Sequence, residues 1–222
     1  MKVSGKLIVF EGADGSGKTT QAKLLLKYLQ KRKIPSEYIS FPRYNESFWA
    51  HMIIRYLKGE FGKLSEINPY FASLMYAGDR MRALPLMKKW LAAGQLVVCN
   101  RYVASNLAHM GARFDREDER QKYIRWLKKL EYQEIGLPQE DLVIFLDVPA
   151  KISQNLMKKR VKDIHEGNVD YLEKVVDVYR QLCRQKNWVK IDCTWRGKIL
   201  TEQQIHEKIL EVFRSRNILR AK

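Results

Sequence analysis

Eight residues near the start of the chain constrain its fold more than any others: Gly12-Ala13-Asp14-Gly15-Ser16-Gly17-Lys18-Thr19 satisfies the pattern GxxxxGK[ST]. The context strengthens the match. Lys6-Leu-Ile-Val-Phe10 before it reads as a buried parallel strand, and Ala22, Leu25, Leu26 and Leu29 after it recur at helical spacing until Pro35. Glycines let successive N–H groups converge on phosphate oxygens, and the helix N-terminus adds partial positive charge. Lys18 then reaches the β and γ phosphates of ATP, and the Thr19 hydroxyl is a ligand for Mg²⁺. Such a loop specifies a nucleotide and leaves the reaction open, because motor ATPases, GTPases and small-molecule kinases share it.

The alternation of strand and helix continues. Tyr38 to Phe41, Leu96 to Asn100, Leu142 to Asp147 and Val189 to Asp192 read as strands. Helices are predicted over Pro69 to Ala93 with a bend at Pro85, Gln121 to Gln133, Lys151 to Lys159, Tyr171 to Lys186 and Glu202 to Arg214. Strands separated by helices imply an α/β P-loop NTPase fold, a mostly parallel sheet covered on both faces, with ligands at the carboxyl ends of its strands. No linker or low-complexity tract divides the 222 residues, so one domain over 1–222 is expected.

Composition narrows the partners. Lys and Arg outnumber Asp and Glu 41 to 25, which favours polyanions; without a zinc-finger or RNP-like motif, small nucleotides are expected rather than nucleic acid. Apolar runs are strand-length, and the N-terminus has no signal-peptide core, so neither a membrane span nor export is expected and the location is read as cytoplasmic. Cys99, Cys183 and Cys193 form no CxxC pair, the usage of reduced thiols rather than of a disulfide scaffold or zinc site.

The phrase Phe10-Glu11-Gly-Ala-Asp14-Gly-Ser-Gly-Lys-Thr-Thr20-Gln21 resembles the opening of thymidylate (dTMP) kinases. Phe41-Pro42-Arg43 resembles their Phe-Pro element with a nearby Arg, and Tyr76-Ala-Gly-Asp-Arg80 their helix with a stacking aromatic and an Arg one turn on. Val97-Val-Cys-Asn100-Arg101-Tyr102-Val-Ala-Ser105 resembles their Asp-Arg-aromatic signature, with Asn100 in place of the usual Asp and His109 in place of the usual aromatic. Leu142 to Pro149 resembles the strand before their lid, placing the lid at about 158–168.

That resemblance implies transfer of the ATP γ-phosphoryl group to dTMP, with Mg²⁺, in a homodimer. By the same resemblance Gly12 to Thr20 cradle the nucleotide, Asp14 faces the acceptor sugar, and Tyr76 and Arg80 take the base. Arg101, Arg43 and Ser105 take the acceptor side. Gly15, where some members carry an Arg, places the catalytic cations in the lid, with Arg160 first among Lys158, Lys159 and Lys162. His109 receives no chemistry, and Glu11 is the residue that could compensate for Asn100. The competing readings are a kinase for another nucleoside monophosphate or a deoxynucleoside, a nucleic-acid-binding P-loop ATPase, and an inactive binding protein.

Overall fold

The computed structural model describes residues 5–44, 46–156 and 169–218. Strand β1 (Lys6–Glu11) is apolar on both faces, and its pleat divides the side chains between two cores. Leu7 and Val9 enter one cluster, Ile8 and Phe10 the other, and all four are fully buried. That is the pattern of a strand covered on both sides, where each Leu or Ile contributes roughly 1.5–3 kcal/mol by burial.

With β2 (Ser36–Ser40), β3 (Leu96–Asn100), β4 (Leu142–Asp147) and β5 (Trp188–Asp192), β1 forms a parallel sheet in the order β2-β3-β1-β4-β5. The strand order reverses around β1, the position at which such sheets open a crevice for ligands. Register decides what stands there. Phe10 pairs with Asn100, so the loop after β1 and Arg101 after β3 emerge side by side.

Helices α1 (Lys18–Lys31) and α8 (Glu202–Ser215) cover one face, burying Ala22, Leu25 and Leu29 and Ile205, Ile209 and Phe213 at helical spacing. The other face carries α2 (Phe48–Leu57), α3 (Pro69–Ala92), α4 (Val103–Gly111), α5 (Glu117–Lys128), α6 (Ala150–Leu156) and α7 (Val169–Leu182). Ser47 caps α2 by accepting from the Ala50 N–H at 3.0 Å, and Thr201 and Gln204 form a capping box on α8.

Several sequence expectations shift. The strand placed at Tyr38 to Phe41 runs from Ser36 to Ser40, and the helix placed at Gln121 to Gln133 starts earlier and becomes a π-helical turn, Lys129–Glu134. Helix α3 continues through Pro85, which lies on its exposed side where water can serve the carbonyl that lost its partner. Helices α2 and α4 and the hairpin of β6 (Thr194–Trp195) and β7 (Lys198–Ile199) were not anticipated. The expected lid at 158–168, with Arg160, lies outside the described residues. Among the described residues no helix is long and apolar enough to cross a membrane.

Candidate active site

The loop between β1 and α1 has the backbone its glycines predict. Gly12 has φ 147°, and a Cβ there would lie 2.8 Å from the Leu146 carbonyl oxygen, so only glycine fits between this loop and β4. Gly17, at φ 86°, caps α1 without a side chain and leaves the helix N-terminus open. Lys18 folds back over the loop: its Nζ donates to the Ala13 carbonyl at 2.6 Å and to Ser16 Oγ at 3.3 Å. The buried ammonium is thereby held above the N–H groups of the loop.

Across from it, Arg101 adopts φ 64°, an uncommon backbone for a residue with a Cβ, while its N–H donates to the Phe10 carbonyl at 3.0 Å. This turn aims the guanidinium back over the crevice. It forms an ion pair with Asp14, and its Nη1 donates to Ser105 Oγ at 3.1 Å and lies 3.4 Å from His109 Nε2. Burial pulls the guanidinium pKa down, but Asp14, with Tyr179, Glu11 and Tyr44 adding to it, more than offsets that and holds it above its ordinary value. Ser105 and His109 lie four apart on α4, so the helix presents both on one face, toward the guanidinium of Arg101, which precedes the helix. His109, to which the sequence assigned no chemistry, belongs to this cluster and lies 3.9 Å from Asp14 Oδ2.

Asn100 ends β3 beside the loop. Its Nδ2 donates to Thr19 Oγ1 at 3.1 Å and to Ser40 Oγ at 2.9 Å, whereas its Oδ1 is buried without a partner. Glu11 does not compensate for the missing carboxylate. It is fully buried and accepts from the Tyr102 N–H at 2.7 Å, the Ser105 N–H at 3.1 Å, Ser105 Oγ at 2.6 Å and Tyr179 Oη at 2.9 Å. Four donors stabilise the anion where it stands and tie α4 and α7 to β1.

A cleft of about 550 Å³ opens from this cluster, lined by Asp14, Arg101 and Ser105 at one end and by Tyr76, Arg80 and Asn106 further in. Phe41, Pro42, Tyr44 and Met110 complete its apolar walls. The Tyr76 ring is set by an edge-to-face contact with Tyr56 at 6.3 Å. Arg80 is not a loose surface cation: Glu131 accepts from its Nε and Nη2 at 2.6 Å each, and its Nη1 donates to the Tyr102 carbonyl at 3.3 Å. Burial lowers its pKa, and the charge and hydrogen bonds of Glu131 more than offset that, leaving it raised.

Sequence reasoning missed Asn106 and Glu131. Asn106 Nδ2 donates to the Ser73 carbonyl at 3.2 Å and to Glu131 Oε1 at 3.4 Å, while its Oδ1 is buried without a partner. Its place next to Ser105 on the signature segment was the one available signal. Arg43 stands apart from the cleft: it lines the adjoining groove, its N–H donates to Asp79 Oδ2 at 2.7 Å, and its guanidinium pairs with Glu46.

Comparison with known proteins agrees with this geometry. A family model described as thymidylate kinase matches residues 10–209. The chain is 31% identical over 193 residues to a thymidylate kinase of Plasmodium falciparum, covering 87% of this chain and 84% of that protein. To a probable thymidylate kinase of Methanocaldococcus jannaschii it is 30% identical over 214 residues, covering 94% and 95%. A solved structure of Candida albicans thymidylate kinase superposes with a TM-score of 0.77 at 24% identity, over 96% of this chain and 93% of that one, a likeness of fold.

Proposed function

The chain belongs to the thymidylate kinase family, and we propose on that premise that it transfers the γ-phosphoryl group of ATP to dTMP, yielding dTDP and ADP. The observation that carries the reading is the meeting of two sites at one ion pair. Asp14 lies on the phosphate loop, Arg101 on the wall of the acceptor cleft, and they contact each other where donor and acceptor phosphates would face.

Phosphoryl transfer leaves the protein little covalent work. An acceptor phosphate oxygen attacks the γ-phosphorus in line, and the enzyme positions two anions while cancelling their repulsion. Lys18 leaves the Ala13 carbonyl for the β and γ phosphates, cradled by residues Gly12 to Thr20. Arg101 exchanges Asp14 for the acceptor phosphate with Ser105 beside it, and Asp14 is released to accept from the acceptor sugar. Arg43 joins the acceptor phosphate by exchanging Glu46 for it, and Arg160 covers the group in flight. The acceptor phosphate is largely ionised at neutral pH, so no general base is required.

Base recognition follows from donor and acceptor patterns. Thymine presents an N–H beside a carbonyl; the unpartnered Asn106 Oδ1 accepts from the first and Arg80 donates to the second, with the Tyr76 ring against the base. Cytosine, with an amine beside a bare nitrogen, reverses both.

Mg²⁺ fits the residues present. Thr19 supplies a hydroxyl, and the orphaned Asn100 Oδ1 suits a metal-bound water. When bound, the ion neutralises charge on the phosphates. The described residues contain no cluster of three or more acidic, His or Cys side chains suited to a metal, consistent with an ion held mainly by the nucleotide.

The protein is further proposed to act as one cytoplasmic domain over 1–222 on free nucleotides rather than nucleic acid, and to pair as a homodimer. Exposed Phe71, Leu74 and Met81 recur along one side of α3, an apolar stripe that a second copy would cover. Light scattering on the purified protein tests the dimer. For the reaction, coupled ADP release is measured with dTMP, dUMP, dCMP, dAMP and dGMP. Fastest turnover with dTMP is expected, and no turnover with any of them would sink the reading.

A further inference from the structure

We propose that Glu131, which lies behind the cleft, is a positioning residue that sets its base selectivity by orienting both groups that read the base. This rests on the acceptor reading above and adds to it the device that enforces it.

Glu131 is fully buried on the π-helical turn Lys129–Glu134, a local widening of the helix that follows α5. Its carboxylate takes Nε and Nη2 of Arg80 as a two-pronged fork, both at 2.6 Å. Nη1, engaged at the longer distance of 3.3 Å by the Tyr102 carbonyl, and the second N–H of Nη2 keep donor capacity for the cleft that Arg80 lines. The same carboxylate receives Asn106 Nδ2 at 3.4 Å on Oε1.

A carboxylate accepts and does not donate. It therefore admits one orientation of the Asn106 amide, nitrogen toward Glu131 and oxygen away. The Ser73 carbonyl, 3.2 Å from the same nitrogen, reinforces that choice. The displaced oxygen is the buried, unpartnered Oδ1, and Asn106 lines the cleft beside Arg80. One buried anion thus dictates a donor next to an acceptor, the complement of an imide edge. A neutral amide in its place can accept or donate, which leaves the Ser73 carbonyl alone to hold the Asn106 nitrogen; the turned form donates to the bare ring nitrogen of cytosine and so removes one of its two mismatches.

The test uses the full chain with Glu131→Gln, which is isosteric but neutral, and Glu131→Asp, which keeps the charge facing Arg80 but is too short to reach Asn106. Binding of dTMP and dCMP is measured by calorimetry beside kcat and KM for both, with Tm recorded for each protein. The parent should prefer dTMP, and both variants should narrow the dTMP-to-dCMP ratio by about tenfold or more, chiefly through a higher dTMP KM. A purely structural role would lower Tm and the active fraction while leaving that ratio untouched. An unchanged ratio in whichever variant folds overturns the inference. A parent that binds both nucleotides equally would instead defeat the acceptor reading beneath it.

Discussion

The side-chain nitrogen of Asn100 lies 3.1 Å from the hydroxyl oxygen of Thr19, joining the end of β3 to the first turn of α1. An amide here donates to the hydroxyl that would meet the metal and turns its own oxygen, unpartnered, into the same buried space. A carboxylate would accept from Thr19 and bring a negative charge. Asn100→Asp is therefore expected to lower the Mg²⁺ concentration needed for half-maximal turnover, by about threefold to tenfold. Magnesium titrations at fixed ATP and dTMP check it, and an unchanged midpoint would remove Asn100 from the metal's surroundings.

Lys18 sits over the loop on borrowed acceptors, the Ala13 carbonyl and Ser16 hydroxyl, so its removal leaves the fold standing. Lys18→Ala should lower kcat for dTMP phosphorylation by at least about 100-fold. Circular dichroism should be unchanged, and retained turnover would contradict the role.

Arg101 stands on the wall of the acceptor cleft, and its contact with the phosphate loop is the ion pair with Asp14. Arg101→Ala should raise KM for dTMP by about 10- to 100-fold, the worth of a hydrogen-bonded charge, with a smaller change in KM for ATP. The two constants measured side by side decide the matter; a change confined to ATP would reverse the assignment.

Glu140 supplies a pH test of stability. Burial, with the charges of Glu11 and Glu131 adding to it, raises its pKa from 4.5 to about 7, even though Tyr132 donates to both oxygens at 2.9 and 3.0 Å. The folded state therefore keeps a proton that the unfolded chain releases between pH 4.5 and about 7. Stability falls as pH rises through that window, by up to the order of 3 kcal/mol from this group. Glu140→Gln, which still accepts from Tyr132, should be more stable than the parent at pH 8 and no more stable at pH 4. Denaturant melts at both pH values measure the difference, and a gap that does not grow with pH would refute it.

What the chain determined by local pattern alone was the loop, its strand and its helix, because a glycine cradle and an apolar run are contiguous in sequence and need no distant partner. The mostly parallel sheet followed from the same periodicity. Short elements escaped: α2 spans only Phe48–Leu57, and the π-helical turn departs from the 3.6-residue period by which helices are recognised. The partners of the site were decided by tertiary structure. Asp14 meets Arg101 across 87 positions because β1 and β3 pair in register, and Arg80 meets Glu131 across 51 because α3 and the turn after α5 pack behind one cleft. No periodicity records such distances, since they arise only when the sheet closes and the buried charges must find one another.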